Sequence, residues 1–375
     1  MQELRDDCVD FARRLIQTPS MPGEEKGIAQ LIYTELERLQ FDEAWIDEIG
    51  NVCGRIHGQE RDLPALVLNT HLDHVDPGDP NLWSVSPYAA AIVDGRIVGR
   101  GASDIKGPLA VQIYAMAGLL RQNQRPKRDV VFTGVVEEEV GGAGALYWIE
   151  NLDYPVALVV LGEPSSNELS LGHRGMLALS VTFQGRSVHA SVPHKGTNPN
   201  YALATFLERL RAAQVELSEH DLLGKTTVAP TIVEVDTKSQ NVTPAWSRVL
   251  LDFRTSSESP RSLKQFVARV AAGLQHTIIS GYANDSDEPL VGFYTPPTSP
   301  AVQQSRSLLA EGMGREPALV SYRFATDGRH FIDAGIPIVG YSPGDEDQAH
   351  IADESISIEL MEESLRGHMQ LLTNY

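Results

Sequence analysis

Apolar residues in the first forty positions fall at helical intervals. Leu4, Cys8, Phe11 and Leu15 form one stripe, so the chain is expected to open with an amphipathic helix. Proline and glycine in residues 19–23 break it, and a second helical pattern runs to Leu39. Short strands are expected near Trp45 and Val52. Three later runs are apolar almost throughout: ALVLNT (65–70), VVFTGVV (130–136) and ALVVLG (157–162). Strands of that kind are buried on both faces, as in a parallel sheet covered by helices. Helical patterns at 108–121 and 144–151 lie between them, and the alternation predicts an α/β fold.

Beyond about Gly172 the period changes. MLALSVTFQG (176–185) alternates apolar and polar residues, which suits a strand with one solvated face. A helix at 199–213, two strand-like runs (TTVAPTIVEV and SRVLLDFRT) and a helix at 262–276 follow. This β-α-β-β-α order is that of a small α+β sandwich. After PPTSP (296–300) the α/β pattern returns, with a helix at 301–312, strands ALVSY and PIVGY, and a final helix. The reading is an α/β domain, residues 1–174 and 286–375, interrupted by an α+β insert at 175–285.

The chain has 375 residues, 42% hydrophobic and 22% charged, ordinary values for a globular protein with a sizeable core. Its 31 basic and 50 acidic residues give a formal charge of −19, which argues against nucleic acid or an anionic membrane as partner. Only Cys8 and Cys53 are present, in no CxxC or disulfide pattern. The stretch MQELRDDCVDFARRLIQ is too charged for a signal peptide, and no run of about 18 apolar residues occurs. A cytoplasmic protein is expected.

The acids and histidines are informative because of where they fall. In open α/β sheets, ligands bind outside the carboxyl ends of the strands. His71 and Asp73 follow ALVLNT, Glu137, Glu138 and Glu139 follow VVFTGVV, and Glu163 follows ALVVLG. Asp104 lies in the glycine-rich GRGASDIKGP, and His350 follows PIVGYSPGDEDQA. Imidazole nitrogen with carboxylate oxygen suits zinc. Five ligands are too many for one tetrahedral ion and suit two ions sharing a carboxylate, with one carboxylate left over as general base.

These motifs occur in an order that resembles the co-catalytic zinc hydrolases: acetylornithine deacetylase, succinyl-diaminopimelate desuccinylase, carboxypeptidase G and aminoacylase. The resemblance rests on HLD at His71, GRGASDIKGPLA, EEEVGG, GEPS, GRSVHASVPHKGTNPN, NVTP, DFRT and AHIADE, and it spans nearly the whole chain. It implies a zinc-peptidase-like α/β catalytic domain with an inserted ferredoxin-like dimerisation domain. It makes His71 and Glu163 ligands of one zinc, Glu139 and His350 ligands of the other, and Asp104 the bridge, followed by a cis peptide bond. Asp73 would orient His71. Matching VGG to the family's glycines makes Glu138 the base; a slip of one residue would make it Glu137.

The resemblance further implies that His189, reaching in from the second subunit of a homodimer, stabilises the oxyanion. Asn241 and Arg254 match positions that hold a substrate carboxylate, a task suited to the guanidinium fork. Arg174, in GHRG, and Arg329, in TDGRHF, are further candidates, and Gly328 would allow close backbone approach. His74 stands where a small or apolar residue is expected, which would alter the pocket wall. The expected cofactors are two zinc ions, with cobalt or manganese as substitutes. SPGDEDQAHIADE resembles the deacetylase and TDGRHF the desuccinylase. The two cues conflict and leave the subfamily open; the expected reaction is deacylation of an N-acyl amino acid, with a desuccinylase or a di- or carboxypeptidase as alternative. A non-catalytic binding protein is another class, since fold alone does not give function. A metal-dependent aminopeptidase is a third, although no acidic residue is clearly assigned to hold a free α-amine.

Overall fold

In a computed structural model of the chain, the three apolar runs form the centre of a nine-stranded sheet. The structure describes residues 1–256, 258–281 and 292–375. Strands Val130–Val135, Ala65–His71, Val156–Leu161 and Ile338–Gly340 lie side by side and parallel. Antiparallel strands extend this core: Val52–Ile56 and Glu43–Ile46 on one side, Leu169–His173 on the other. Phe293–Tyr294 and Leu319–Tyr322 both pair with Leu169–His173. Every residue of Ala65–His71 and Val130–Val135 is buried, as their unbroken apolar character requires.

Helix Gly107–Arg121 is buried from Gly107 to Leu119, so it lacks the polar stripe of a surface helix. Helices Gln2–Ile16 and Ile358–Asn374 pack against it. Gly118 makes this close approach possible: a Cβ there would sit 2.8 Å from the Leu4 side chain and 2.9 Å from Met369 Sδ. Serine side chains cap three helices, Ser259 on Pro260–Val270, Ser299 on Pro300–Met313 and Ser357 on Ile358–Asn374.

The chain divides into two compact units, Met1–Gly172 with Tyr294–Tyr375, and His173–Phe293. The expected boundary at 285/286 falls outside the described residues. The second unit is a four-stranded antiparallel sheet of Gly175–Gln184, Thr227–Val235, Trp246–Thr255 and His276–Ser280. In chain order its strands stand 2-3-1-4, which with helices Pro199–Ala213 and Pro260–Val270 is the ferredoxin-like arrangement. Phe183, Phe206, Phe253 and Val267 are among its core residues.

Two expectations need correction here. The helix expected over 262–276 ends at Val270, because Gly273 adopts φ +78° and His276–Ser280 instead pairs with Gly175–Gln184. The small sheet of Ala91–Val93, Arg96–Val98 and Ser355–Ser357 was not anticipated, its strands being three residues each. Among the described residues no helix is long and apolar enough to cross a membrane.

Candidate metal centre and active site

The parallel strands end at one edge of the sheet. His71 closes Ala65–His71, the three glutamates follow Val130–Val135, Glu163 follows Val156–Leu161, and the segment leading to His350 follows Ile338–Gly340. The bond between Asp104 and Ile105 is cis.

The first unit brings the histidines and carboxylates together. His71 Nε2 is 3.1 Å from Asp104 Oδ1 and 4.0 Å from Glu163 Oε1. His350 Nε2 is 3.0 Å from Glu139 Oε1 and 3.3 Å from Asp104 Oδ2. The two oxygens of Asp104 therefore face different imidazoles. Ligand atoms of His71, Glu138 and Glu163, and of His71, Asp104 and Glu139, each lie within 4.8 Å of one another.

This donor set fits a pair of divalent cations. His71 has acceptors at both ring nitrogens: Nδ1 is 3.0 Å from the Asp73 carbonyl and 3.3 Å from Asp73 Oδ1, while Nε2 faces Asp104 and Glu163. A neutral imidazole has one N–H, so the other side requires a second proton or a metal ion. Burial would lower the His71 pKa, but Asp104 and Asp73 outweigh it and hold the ring well above 6.5. Hydrogen bonds to Asp104 and Glu139 raise His350 to about 10. Burial, reinforced by neighbouring carboxylates, pushes Glu138 and Glu163 well above the ordinary carboxylate range. Cations would offset this crowding of negative charge.

Asp73 does more than orient a ring. Its carboxylate also accepts from the Glu138 N–H at 3.2 Å and the Glu139 N–H at 3.1 Å, so it pins the turn that carries both glutamates. Glu25 accepts from the Glu137 N–H at 3.1 Å, and Glu137 itself adopts φ +56°. The turn directs its acids to different places. Glu138 and Glu139 line a cavity of about 220 Å³ with Asp104, Glu163 and His350. Glu137 lines a separate cavity of about 400 Å³ that includes Gly23 and Ala29.

His74 is not among the residues lining the 220 Å³ cavity. It is buried, and its Nε2 accepts from the Ser20 N–H at 3.0 Å while Nδ1 donates to the Val75 carbonyl at 2.8 Å. Burial, then the Lys106 charge, lowers its pKa to about 4, so it acts as a neutral tie to the N-terminal loop.

Gly328 opens the short helix Gly328–Asp333, and Arg329 donates to the Gly141 carbonyl at 3.1 Å. Sequence reasoning singled out these two residues and missed their neighbour. Asp327 is buried, and neither of its oxygens has a hydrogen-bond partner among the described residues. Burial raises its pKa to about 7. Gly142, at φ +83°, leaves room for it: a Cβ there would sit 2.2 Å from Asp327 Oδ1. The only sequence signal was an acid between Thr326 and a glycine.

His189, Asn241, Arg254 and Arg174 belong to the second unit. His189 is exposed, its Nδ1 is 2.7 Å from Ser191 Oγ, and the Ala190 N–H donates to the Asn241 carbonyl at 2.9 Å, so His189 and Asn241 are neighbours. Arg254 is exposed and pairs with Asp252 at 2.9 Å. Arg174 reaches the Lys225 carbonyl at 3.4 Å.

Comparison with known proteins agrees with this fold. A succinyl-diaminopimelate desuccinylase of Cereibacter sphaeroides (strain ATCC 17023) is 27% identical over 389 residues, covering 98% of this chain and 99% of the relative. The crystal structure of aminopeptidase PepT from Bacillus cereus ATCC 10987 superposes with a TM-score of 0.78 at 19% identity, covering 98% of each chain. The Bacillus subtilis YXEP protein, described as a dinuclear metal binding peptidase from M20 family, gives 0.73 at 16% identity over 100% of this chain and 98% of its own. The model of peptidase family M20/M25/M40 matches residues 67–374, and the chain belongs to that family of metallohydrolases.

Proposed function

We propose that the protein is a di-zinc amidohydrolase that cleaves the amide bond of an N-acyl amino acid. The observation that carries this reading is the division of Asp104, whose Oδ1 faces His71 at 3.1 Å and whose Oδ2 faces His350 at 3.3 Å. His71, Glu163 and Asp104 would hold one ion, and Glu139, His350 and Asp104 the other. Cobalt and manganese suit the same donors. Bound there, the ions supply Lewis acidity and an acidified water.

The chain's own groups do the rest. Glu138 accepts the proton of the attacking water and passes it to the leaving nitrogen. Its partial burial among other acids supports this, because a carboxylate partly withdrawn from water and facing other carboxylates binds a proton more readily. Asp73 holds Glu138 and Glu139 in place through their N–H groups. His189 donates to the oxyanion. Arg254 and Asn241 hold the substrate carboxylate, with Arg174, Arg329 and Gly328 as further contacts. The protein works in the cytoplasm.

His189 acts from the second subunit of a homodimer paired through the insert. The edge strand Thr227–Val235 supports this, since Ile232, Val233 and Val235 are exposed on it. Sedimentation should give twice the 41.0 kDa chain mass. His189→Ala should lower kcat at least tenfold without altering that mass. A monomer of full activity would sink the shared-site reading.

The desuccinylase relative favours a second reading, in which the acyl group carries its own carboxylate and Arg329 meets it. A mass-spectrometric screen of the zinc-loaded protein separates the readings. The mixture holds N-acetyl, N-formyl and N-succinyl amino acids with dipeptides, and Glu138→Ala is the control. Loss of acetyl or formyl substrates, absent in the control, is the expected result. Loss of succinyl substrates alone selects the second reading, and cleavage of dipeptides alone makes the protein a peptidase.

A further inference from the structure

The ligands of the candidate centre are held in two different ways. His71 closes a buried strand of the main sheet, and Glu163 follows another, so the sheet itself sets their separation. Asp104 and His350 are carried by connecting segments. His350 even adopts φ +63°, a left-handed conformation that only its surroundings can hold. Something must fix these two segments to each other.

The fully buried Glu354, four residues beyond His350, joins them. Its Oε1 accepts from the N–H groups of Ser103 at 2.9 Å and Asp104 at 3.0 Å. Its Oε2 accepts from the Gly101 N–H at 2.9 Å and from Arg100 Nη1 at 2.7 Å. Three converging backbone N–H groups and a guanidinium make a fully satisfied carboxylate site, and charge-assisted bonds of this kind are strong and directional. Arg100 is held in turn over the Trp83 ring at 5.2 Å. A second stitch runs beside it: Ser103 Oγ donates to the Asp345 carbonyl at 3.1 Å and accepts from the Asp345 N–H at 2.6 Å.

We infer that Glu354 is a positioning residue that sets the spacing of Asp104 and His350, and so determines retention of the second ion. The inference rests on the two-ion reading above. The ion between Asp104, Glu139 and His350 depends on the latch. The ion beside His71 and Glu163 keeps two ligands placed by the sheet. AHIADE contains Glu354, but nothing in its spacing reveals that it reaches back about 250 residues to the Asp104 loop.

Zinc content is the test. Each protein is loaded with zinc, dialysed against a weak chelator and measured by elemental analysis, and the loss rate of each ion is followed with a chromogenic chelator. Glu354→Gln keeps the shape but turns an amide N–H₂ toward backbone N–H groups. It should leave about one zinc per chain where the unaltered protein keeps two. Glu354→Asp keeps the charge opposite Arg100 but shortens the reach to the N–H groups of Gly101, Ser103 and Asp104, and it decides the matter if Glu354→Gln fails to fold. It should release the ion beside His350 roughly tenfold faster, the low end of the effect of outer-shell changes, and the ion beside His71, which shares only Asp104 with the latched segments, by a smaller factor. Retention of both ions at unaltered rates would overturn the inference. So would simultaneous loss of both with a lower Tm of the metal-free protein, the signature of general loosening. Fewer than two ions in the unaltered protein would instead refute the two-ion reading, and the inference with it.

Discussion

Replacing Glu138 with glutamine lowers kcat by about 10²–10⁴-fold, the range expected for removal of a positioned general base. Glutamine has the same shape but cannot accept the water's proton. The hydrogen bond that places residue 138 survives, because Asp73 receives it from the backbone N–H. Metal content and KM should therefore stay near their unaltered values. Stability should hold or rise, since Glu138 lies among Glu163, Asp327 and Glu139 and its burial already penalises its charge. Steady-state kinetics, elemental analysis and calorimetry on one preparation give all three readouts. A fall of less than tenfold would place the base elsewhere, and Glu137→Gln would then be the next variant. A large fall accompanied by loss of metal would make Glu138 a ligand rather than a base.

Stripping the metal with a strong chelator abolishes activity and lowers the Tm of the first unit. A ligand held at about 1,000 times its Kd stabilises the folded state by about 4 kcal/mol, since it binds that state alone. At about 2–4 °C per kcal/mol for a unit of this size, the shift is roughly 10 °C. The second unit has its own core around Phe183, Phe206 and Phe253, so a separate transition from it should not move. Readdition of zinc restores both activity and Tm. Unchanged activity and Tm in excess chelator would sink the metal reading altogether.

What could be read from the sequence followed from burial. Ala65–His71, Val130–Val135 and Val156–Leu161 are apolar along their length, so their positions and the acids after them were visible. Pro199–Ala213 was visible for the same reason, its apolar stripe being regular. The helix expected to reach His276 was misplaced because Ala271, Ala272 and Leu274 favour a helix locally. Pairing of His276 with Phe183 prevails over that preference. In the candidate site, the acids and histidines at strand ends and the pairing of Asp73 with His71 were legible, but the second role of Asp73 and the buried Asp327 were not. Asp73 pins a turn 65 residues away, and Asp327 is an isolated acid within an otherwise ordinary segment. Such roles depend on contacts between distant parts of the chain, which spacing along one segment does not encode.

Strand Leu169–His173 leads into the second unit, and Phe293–Tyr294 leads out beside it, with the Thr295 N–H donating to the Leu171 carbonyl at 2.7 Å. Departure and return are thus neighbours in one sheet. Closing a long excursion between adjacent points costs entropy that grows only with the logarithm of its length. The length of the excursion is therefore only a weak constraint on the host sheet at this doorway. Replacing the guest would keep the candidate metal ligands, all of which belong to the host, and would change whatever His189, Asn241 and Arg254 contribute from the guest.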